Sequence, residues 1–467
     1  MEKNYLYGLT VQGIQSYIFE TNKLKEIIGA SEIVEQLCTT WFDAFLTNNG
    51  NNYQGKKLLN AAGNIRFKTD KTTAEKIFKD YHNFLLEKAP GVPFSQAVVV
   101  IEKGKEYEAI QKLDEKLRGQ RNKPQYAFDL GLMTRSKYRR TGGATIPNHK
   151  DDDKQFYDLI TGTKYFNRNG NKLKEKIKID NIKFPSEFKE IAKGNTHRWM
   201  AVIHIDGNGM GLMIKSILEN SDSGNKFNNL QDFSKKVSQS TINALNKAIN
   251  KTIMPYKNDN NLLPMRPIII GGDDLTIIVR ADLAIKFTQV YLQEFENQTK
   301  DNGINEGKGL TAAAGIAFVK EKFPFHYAVN LAEDLTSYAK NKSNREKSCL
   351  HFHLVKDSYI DNYNEVQERE LIVDNNFNFI NGPYYINDKD KPTIDDLLKN
   401  IELLQEDDSP KNGIREWVDA KFNHNLMEDI LMDRIKNKAK NSYKKILENE
   451  KAFIDYLSLL AVETKTK

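Results

Sequence analysis

The sequence predicts an α+β protein: two tandem ferredoxin-like units of β-α-β-β-α-β order, then a mostly helical C-terminal region. Three observations carry this. Over residues 196–355, strand-length apolar runs alternate with longer segments of helical periodicity. A Gly271-Gly272-Asp273-Asp274 turn joins two of those runs. The same order recurs in weaker form over residues 1–120.

In chain order, Leu6–Val11 reads as a strand, Ile65–Lys68 as a second, Thr73–Leu86 as a helix and Phe94–Ile101 as a further strand. Residues 121–195 are basic, polar and turn-rich, with Arg139-Arg140-Thr141-Gly142-Gly143 and Asp151-Asp152-Asp153. Trp199–Ile205 is an apolar strand and Phe233–Ile253 a helix. Pro267–Ile270 and Leu275–Val279 flank the Gly/Asp turn as a β-hairpin. Ala281–Phe295 is a helix with Leu283, Phe287, Val290 and Tyr291 on one face. Leu310–Phe318 is a strand of small residues, Phe325–Lys340 a helix, and Cys349–Leu354 a last strand. In the tail, Ile401, Leu403 and Leu404, then Met427, Ile430, Leu431 and Ile435, recur at helical spacing, while Asn375–Lys389 reads as a loop or hairpin. The expected domains are 1–120, 121–195, 196–360 and 361–467.

Composition narrows the function classes. With 467 residues, 39% hydrophobic and 28% charged, the chain is globular and large enough for several cores. No apolar run approaches the roughly 18 residues of a membrane span, and no secretory signal opens the chain, so a cytoplasmic protein is expected. Two cysteines, Cys38 and Cys349, exclude a disulfide framework and a four-cysteine zinc site. The net charge of +6 suits anionic small ligands without by itself indicating nucleic acid.

The two halves align landmark by landmark. Leu6–Val11 matches Val202–Gly207, with Thr10 opposite Asp206 and Gly13 opposite Gly209. Ala61-Ala62-Gly63-Asn64 matches Gly271-Gly272-Asp273-Asp274, and Phe94–Ile101 matches Leu310–Phe318. The first copy lacks every one of these carboxylates, so one half could perform chemistry and the other only bind.

Asp206, Asp273 and Asp274 are the strongest chemical signal. One ends a strand and two sit at the neighbouring hairpin tip, so they can converge. Clustered carboxylates repel unless cations lie between them, and hard divalent ions meet that need. Two such ions would activate an attacking hydroxyl and stabilise a leaving pyrophosphate. An ordinary type I′ turn would also use Gly and Asp here. The run Asp206-Gly207-Asn208-Gly209-Met210-Gly211 leads into a helix or loop whose N–H groups could hold phosphate, or is simply a flexible turn. Lys340, near a helix C-terminus, is a phosphate contact or a complement to the helix dipole. His351 and His353 alternate on one strand face, and the eight histidines show no metal-ligand spacing. Arg135, Lys137, Arg139 and Arg140 could meet nucleic acid or triphosphate, or form a solvated loop. No nucleophilic-hydrolase motif and no Gly-x-x-x-x-Gly-Lys-Ser/Thr loop occurs.

At these residues the sequence resembles the polymerase-like large subunit of type III CRISPR effector complexes, whose palm domains are related to GGDEF cyclases. The Gly-Gly-Asp-Asp hairpin at 271–274 and the Asp206–Gly211 segment match the second palm. So do Ala314-Gly315-Ile316-Ala317, Pro324-Phe325, Leu331-Ala332-Glu333 and Ala339-Lys340. Val11–Phe19, Lys23-Leu24 and Gly29-Ala30-Ser31 are similar to the first palm. The first palm begins at the first residues, so no HD nuclease is expected, and the family's zinc cysteines are absent from a chain with two cysteines.

The resemblance implies a palm-domain nucleotidyltransferase making a cyclic or linear oligonucleotide from ATP or another triphosphate, for antiviral defence. Asp206, Asp273 and Asp274 would be catalytic and, with Gly207, would hold two Mg²⁺ or Mn²⁺ ions. Gly271, Gly272, Gly207, Asn208, Gly209 and Lys340 would bind one nucleotide, and Gly63 and Asn64 of the first palm the other. Partners would be nucleoside triphosphates and, in addition, guide or target RNA or other CRISPR subunits, with the chain a monomer or homodimer. The alternatives are a nucleotide- or RNA-sensing subunit without turnover, and a template-dependent polymerase, which calls for a long basic cleft.

Overall fold

Burial of Trp199–Ile205 throughout the strand Trp199–Gly207, and of Leu6–Leu9 within Asn4–Val11, seeds two separate sheets. The structure is a computed structural model that describes residues 4–47, 53–61, 63–121, 136–151, 154–220, 226–357, 362–424 and 427–463. By contacts the chain divides into two units. Met1–Lys178, Gly209–Ile242 and Ile268–Gly272 form the first; Ile179–Asn208, Asn243–Pro267 and Asp273–Lys467 form the second.

In chain order the elements that matter begin with β1 (Asn4–Val11), α1 (Leu24–Cys38), β2 (Lys56–Ala61) and β3 (Asn64–Thr69). Next come α2 (Lys71–Lys88), β4 (Phe94–Ile101), α3 (Glu106–Gly119) and α4 (Leu159–Phe166). Then follow β5 (Trp199–Gly207), α5 (Met210–Asn220), α6 (Lys226–Ala248), β6 (Met265–Gly271), β7 (Asp274–Arg280) and α7 (Ala284–Asp301). After them come β8 (Ala312–Lys320), α8 (Phe325–Lys342), β9 (Cys349–Leu354) and β10 (Tyr384–Tyr385). The tail holds α9 (Ile394–Leu404), α10 (Lys411–Phe422), α11 (Glu428–Lys438) and α12 (Phe453–Val462).

The first sheet has the order β2-β3-β1-β4, and the second the order β10-β9-β8-β5-β7-β6. Four neighbouring strands therefore repeat: β6-β7-β5-β8 restates β2-β3-β1-β4. The registers repeat as well. Leu9 pairs with Ile65 and Thr10 with Asn64; Ile205 pairs with Leu275, which places Asp206 against Asp274 one step further. The internal duplication read from the sequence is thus repeated in strand order and pairing.

In the first unit, Leu6, Leu58, Ala97, Val99, Ile101, Ala109, Leu113 and Leu117 close a core with Phe227 of α6. Asp70 caps α2, its carboxylate accepting from the Thr73 amide at 2.9 Å. Helix α1 is buried along nearly its whole length, including three glutamates. Each meets a partner from the following basic segment. Glu26 takes the Arg140 guanidinium at 2.6 and 2.9 Å. Glu32 accepts from the backbone amides of Lys172 and Leu173 at 3.0 and 3.3 Å. Glu35 pairs with Lys176 at 2.8 Å. Arg140 is therefore not a freely solvated loop residue: its guanidinium is committed to the buried Glu26, although the side chain stays 31% exposed. Lys137 and Arg139 are exposed. Arg135, Asp152, Asp153 and Ala62 lie outside the described residues.

In the second unit, β5 is central and buried, and α8 lies across β8, β5 and β9. The approach is close: a Cβ on Gly315 would stand 2.0 Å from the Ala332 carbonyl oxygen, so only glycine lets α8 seat. The segment read as a loop or hairpin supplies the edge strand β10, whose Tyr384 and Tyr385 pair with Leu350 and Cys349. In α11 the buried stripe is Met432 and Ile435, while Met427 and Ile430 are 49% and 58% exposed. The apolar spacing of that segment therefore overstates its buried face. Among the described residues no helix is long and apolar enough to cross a membrane.

Candidate active site

The site is built at the ends of β5 and β7, with α8 beside them. Period-two alternation places His204 and Asp206 on one face of β5, opposite Thr276 and Asp274 on the same face of β7. The β6–β7 turn needs Gly272, at φ +59°; Asp273 does not share the positive φ that a type I′ turn asks of both central residues. The Gly272 carbonyl accepts from the Thr241 hydroxyl at 2.6 Å. Asp273 leans onto β5: a Cβ on Gly207 would meet Asp273 Oδ2 at 2.8 Å and its Cβ at 2.9 Å. Gly207 is thus required by the carboxylate's position.

Lys340, one turn from the end of α8, reaches back into the cluster. Its Nζ donates to Asp206 Oδ2 at 2.5 Å and to the Gly207 carbonyl at 2.9 Å. Burial and then Asp206 push the Asp273 carboxyl up to about 6. Burial, then Asp206 and Asp273, then Glu333 push Asp274 well above the carboxylate range. The Asp274 side chain is 37% exposed as a whole, yet its Oδ1 is sealed and has no hydrogen-bond donor. Glu333, also with a sealed oxygen lacking a donor, is raised to about 7 by burial and by Asp334. Burial holds the His204 imidazole down at about 4, so it is neutral at pH 7.

Among the described residues, no three His, Cys, Asp or Glu side chains are spaced as a ready metal shell. The Lys340 ammonium takes one oxygen of Asp206 and the Gly207 carbonyl. The donor chemistry nonetheless fits a hard divalent cation. It offers carboxylate oxygens, a backbone carbonyl and a sealed Asp274 oxygen without a donor.

The first unit shows what the duplicate lost. Thr10 Oγ1 donates to Asn64 Oδ1 at 2.7 Å, where the second copy has Asp206 and Asp274. Arg66 Nη1 lies 3.2 Å from the Leu9 carbonyl, and its Nη2 donates to Asp114 at 2.9 Å. Gly63, at φ +74°, accepts from the Val11 amide at 2.8 Å. This is a neutral pair beside a guanidinium that is itself paired with Asp114.

Asp206, Gly207, Asp273, Asp274 and Lys340 therefore come together in the second unit. Asn208 is there too, but its side chain is engaged: Nδ2 donates to Thr311 Oγ1 at 2.9 Å. Gly209, at φ +72°, starts α5 and accepts from the Met213 amide at 3.1 Å; it groups with the first unit, as do Gly271, Gly272, Gly63 and Asn64. Sequence reasoning gave no site role to His204, Thr276 and Thr336, and noted Glu333 only within the Leu331-Ala332-Glu333 run. Thr336 Oγ1 donates to the His204 carbonyl at 3.0 Å and ties α8 to β5. The available signals were spacings: His204 two residues before Asp206, and Glu333, Thr336 and Lys340 at one helical face.

Comparison with known proteins bears on this arrangement. Residues 199–349 match the Cas10/Cmr2 second palm domain. Over those residues the chain resembles Cas10/Cmr2. Its fold is that seen in solved structures containing Csm1. A Csm1-Csm4 cassette in complex with pppApApA superposes with a TM-score of 0.57 at 13% identity, covering 98% of this chain and 69% of that one. Csm1 in T. onnurineus gives 0.55 at 15%, covering 99% and 70%. A Csm1-Csm4 cassette in complex with cA3 gives 0.52 at 14%, covering 99% and 70%. At these identities the likeness is one of fold. A search of curated proteins gives no match. The matched second palm of this Cas10-like chain spans β5 to the start of β9, and so contains Asp206, Asp273, Asp274 and Lys340.

Proposed function

We propose that this Cas10-like chain is a nucleotidyltransferase that joins nucleoside triphosphates, ATP foremost, into a cyclic or linear oligonucleotide messenger for antiviral defence. The observation that carries the reading is the convergence of Asp206, Asp273 and Asp274 beside Lys340. Structures of matched proteins with pppApApA, cA3 and AMPPNP support the nucleotide class. The 3′- or 2′-hydroxyl oxygen of one nucleotide forms a bond to the α-phosphorus of another. The bond to the β-phosphate oxygen breaks, pyrophosphate leaves, and the hydroxyl proton passes to solvent. Two Mg²⁺ or Mn²⁺ ions, when bound, would activate the hydroxyl and stabilise the leaving pyrophosphate.

The chain's own residues have distinct parts. Asp206, Asp273 and Asp274, with the Gly207 carbonyl, would hold the cations. Lys340 turns from Asp206 to the phosphates. Gly271 and Gly272 let a ligand approach the backbone, Asn208 and Gly209 shape the turn after β5, and Gly63 and Asn64 serve a second nucleotide. The partners in this reading are the triphosphates and other subunits of a CRISPR effector, with guide or target RNA as the activator.

The test is incubation of the pure protein with each triphosphate and their mixture, in Mg²⁺ and then Mn²⁺, with products separated and identified by mass. Pyrophosphate and an oligonucleotide, both lost in Asp273→Ala/Asp274→Ala, are expected. Nucleotide binding without product, with RNA added as well, would instead mark a sensing subunit.

A further inference from the structure

Two buried polar side chains sit behind Asp274 and take no direct part in the chemistry above. Thr276 is fully buried, and His204 is 8% exposed. His204 Nδ1 lies 3.0 Å from Thr276 Oγ1 and 3.5 Å from Asp274 Oδ1. That Asp274 oxygen has no hydrogen-bond donor. The backbone of His204 is fixed, because β5 pairs with β7 on one side and β8 on the other. Its backbone carbonyl is held by Thr336 of α8 at 3.0 Å.

A fully buried hydroxyl needs a partner, and a buried imidazole is costly unless its ring nitrogens are used. A single Nδ1–H shared between Thr276 Oγ1 and Asp274 Oδ1 answers both needs. It also supplies the donor that the sealed carboxylate oxygen lacks, and so sets the rotation of the carboxylate.

We propose that His204, braced by Thr276, is a positioning residue that fixes the orientation of the Asp274 carboxylate for cation binding. This rests on the metal-dependent reading above. Outer partners of this kind typically change metal affinity 10–100-fold when removed. The donor is specific to one ring nitrogen, which gives the idea a stereochemical test. Asparagine places its Nδ2 near the position of Nδ1; glutamine places its amide near Nε2; phenylalanine keeps only the ring.

The experiment measures Mn²⁺ binding to the full chain by electron paramagnetic resonance, without nucleotide, alongside far-UV melting curves. His204→Phe and His204→Gln should raise the Mn²⁺ dissociation constant about tenfold, and His204→Asn should stay within about threefold of wild type. All should keep a folded spectrum. Thr276→Val provides the same readout should the phenylalanine variant not fold, with the same weakening expected. Wild-type Mn²⁺ affinity in the phenylalanine or valine variant, or equal loss in the asparagine and glutamine variants, overturns the positioning role and leaves the metal reading standing. Absence of Mn²⁺ binding by folded wild type removes the metal reading, and this proposal with it.

Discussion

Lys340 Nζ lies 2.5 Å from Asp206 Oδ2 and 2.9 Å from the Gly207 carbonyl oxygen. An ammonium on a buried helix face thereby balances part of the negative charge of three converging aspartates. In the proposed reaction the same cation would meet a phosphate once Asp206 holds a metal ion. Lys340→Met is expected to remain folded and to lower the rate of nucleotide joining by about 100-fold, the scale on which removal of one preorganised electrostatic group acts. Initial rates of pyrophosphate release, wild type against variant, check this; a rate within a factor of two of wild type refutes the role.

Gly207 gives a sharper geometric prediction. A methyl group there would stand 2.8 Å from Asp273 Oδ2 and 2.9 Å from Asp273 Cβ. The carboxylate end can swing, but the Cβ can move only with the hairpin. Gly207→Ala should displace Asp273 and cut turnover at least about tenfold, while strain of about 1–3 kcal/mol lowers the melting temperature by a few degrees. Paired turnover and thermal melts decide it: wild-type turnover in a folded variant would show that Asp273 is not held against Gly207.

The Glu26–Arg140 pair predicts stability rather than activity. Glu26 has no exposed surface and takes both guanidinium nitrogens, whereas the Arg140 side chain is 31% exposed. Removing the arginine leaves the carboxylate in the core without a counter-ion, with the Thr21 hydroxyl still donating to it. Arg140→Ala is expected to cost about 3 kcal/mol, and Glu26→Gln/Arg140→Met clearly less, because breaking a buried pair is worse than replacing it. Urea titrations of the three proteins measure this. Equal losses in both variants would contradict the assignment.

Asp455 predicts a pH dependence. It lies in the core, accepts from Tyr384 Oη at 2.6 Å, and burial raises its carboxyl to about 7. The unfolded chain releases that proton near pH 4. Between those values the folded state holds a proton that the unfolded state has lost. Stability from this group is therefore full below about pH 4, falls as pH rises, and is gone above about pH 7. Asp455→Asn cannot ionise, so wild type should lose on the order of 3 kcal/mol relative to the variant between pH 4 and pH 8. A constant difference across that range, measured by denaturant titration, would show that the group does not titrate there.

Parts of this were legible in the sequence because they are local. Alternating and continuous apolar runs marked β5, β7 and β8, and the Ala61–Asn64 and Gly271–Asp274 runs marked two matching turns; the Asp70 cap of α2 was not read. The correspondence of Thr10 with Asp206 and of Asn64 with Asp274 was readable by counting, since a duplicated strand keeps its period of two. The basic segment was not readable. Nothing local distinguishes Arg140, whose guanidinium pairs with a buried carboxylate, from its neighbour Arg139; the difference is Glu26, more than a hundred residues away.

The sequence by itself determined the order of elements, the repeat, and which residues could carry charge to the end of β5 and the tip of the β6–β7 hairpin. Tertiary structure alone decided that Asp273 lies against Gly207, that Lys340 returns to Asp206, and that His204 stands behind Asp274. Each of these is a meeting between distant segments. It is set by strand register and by how closely α8 can approach β8 at Gly315, and side-chain periodicity along one segment carries no information about either.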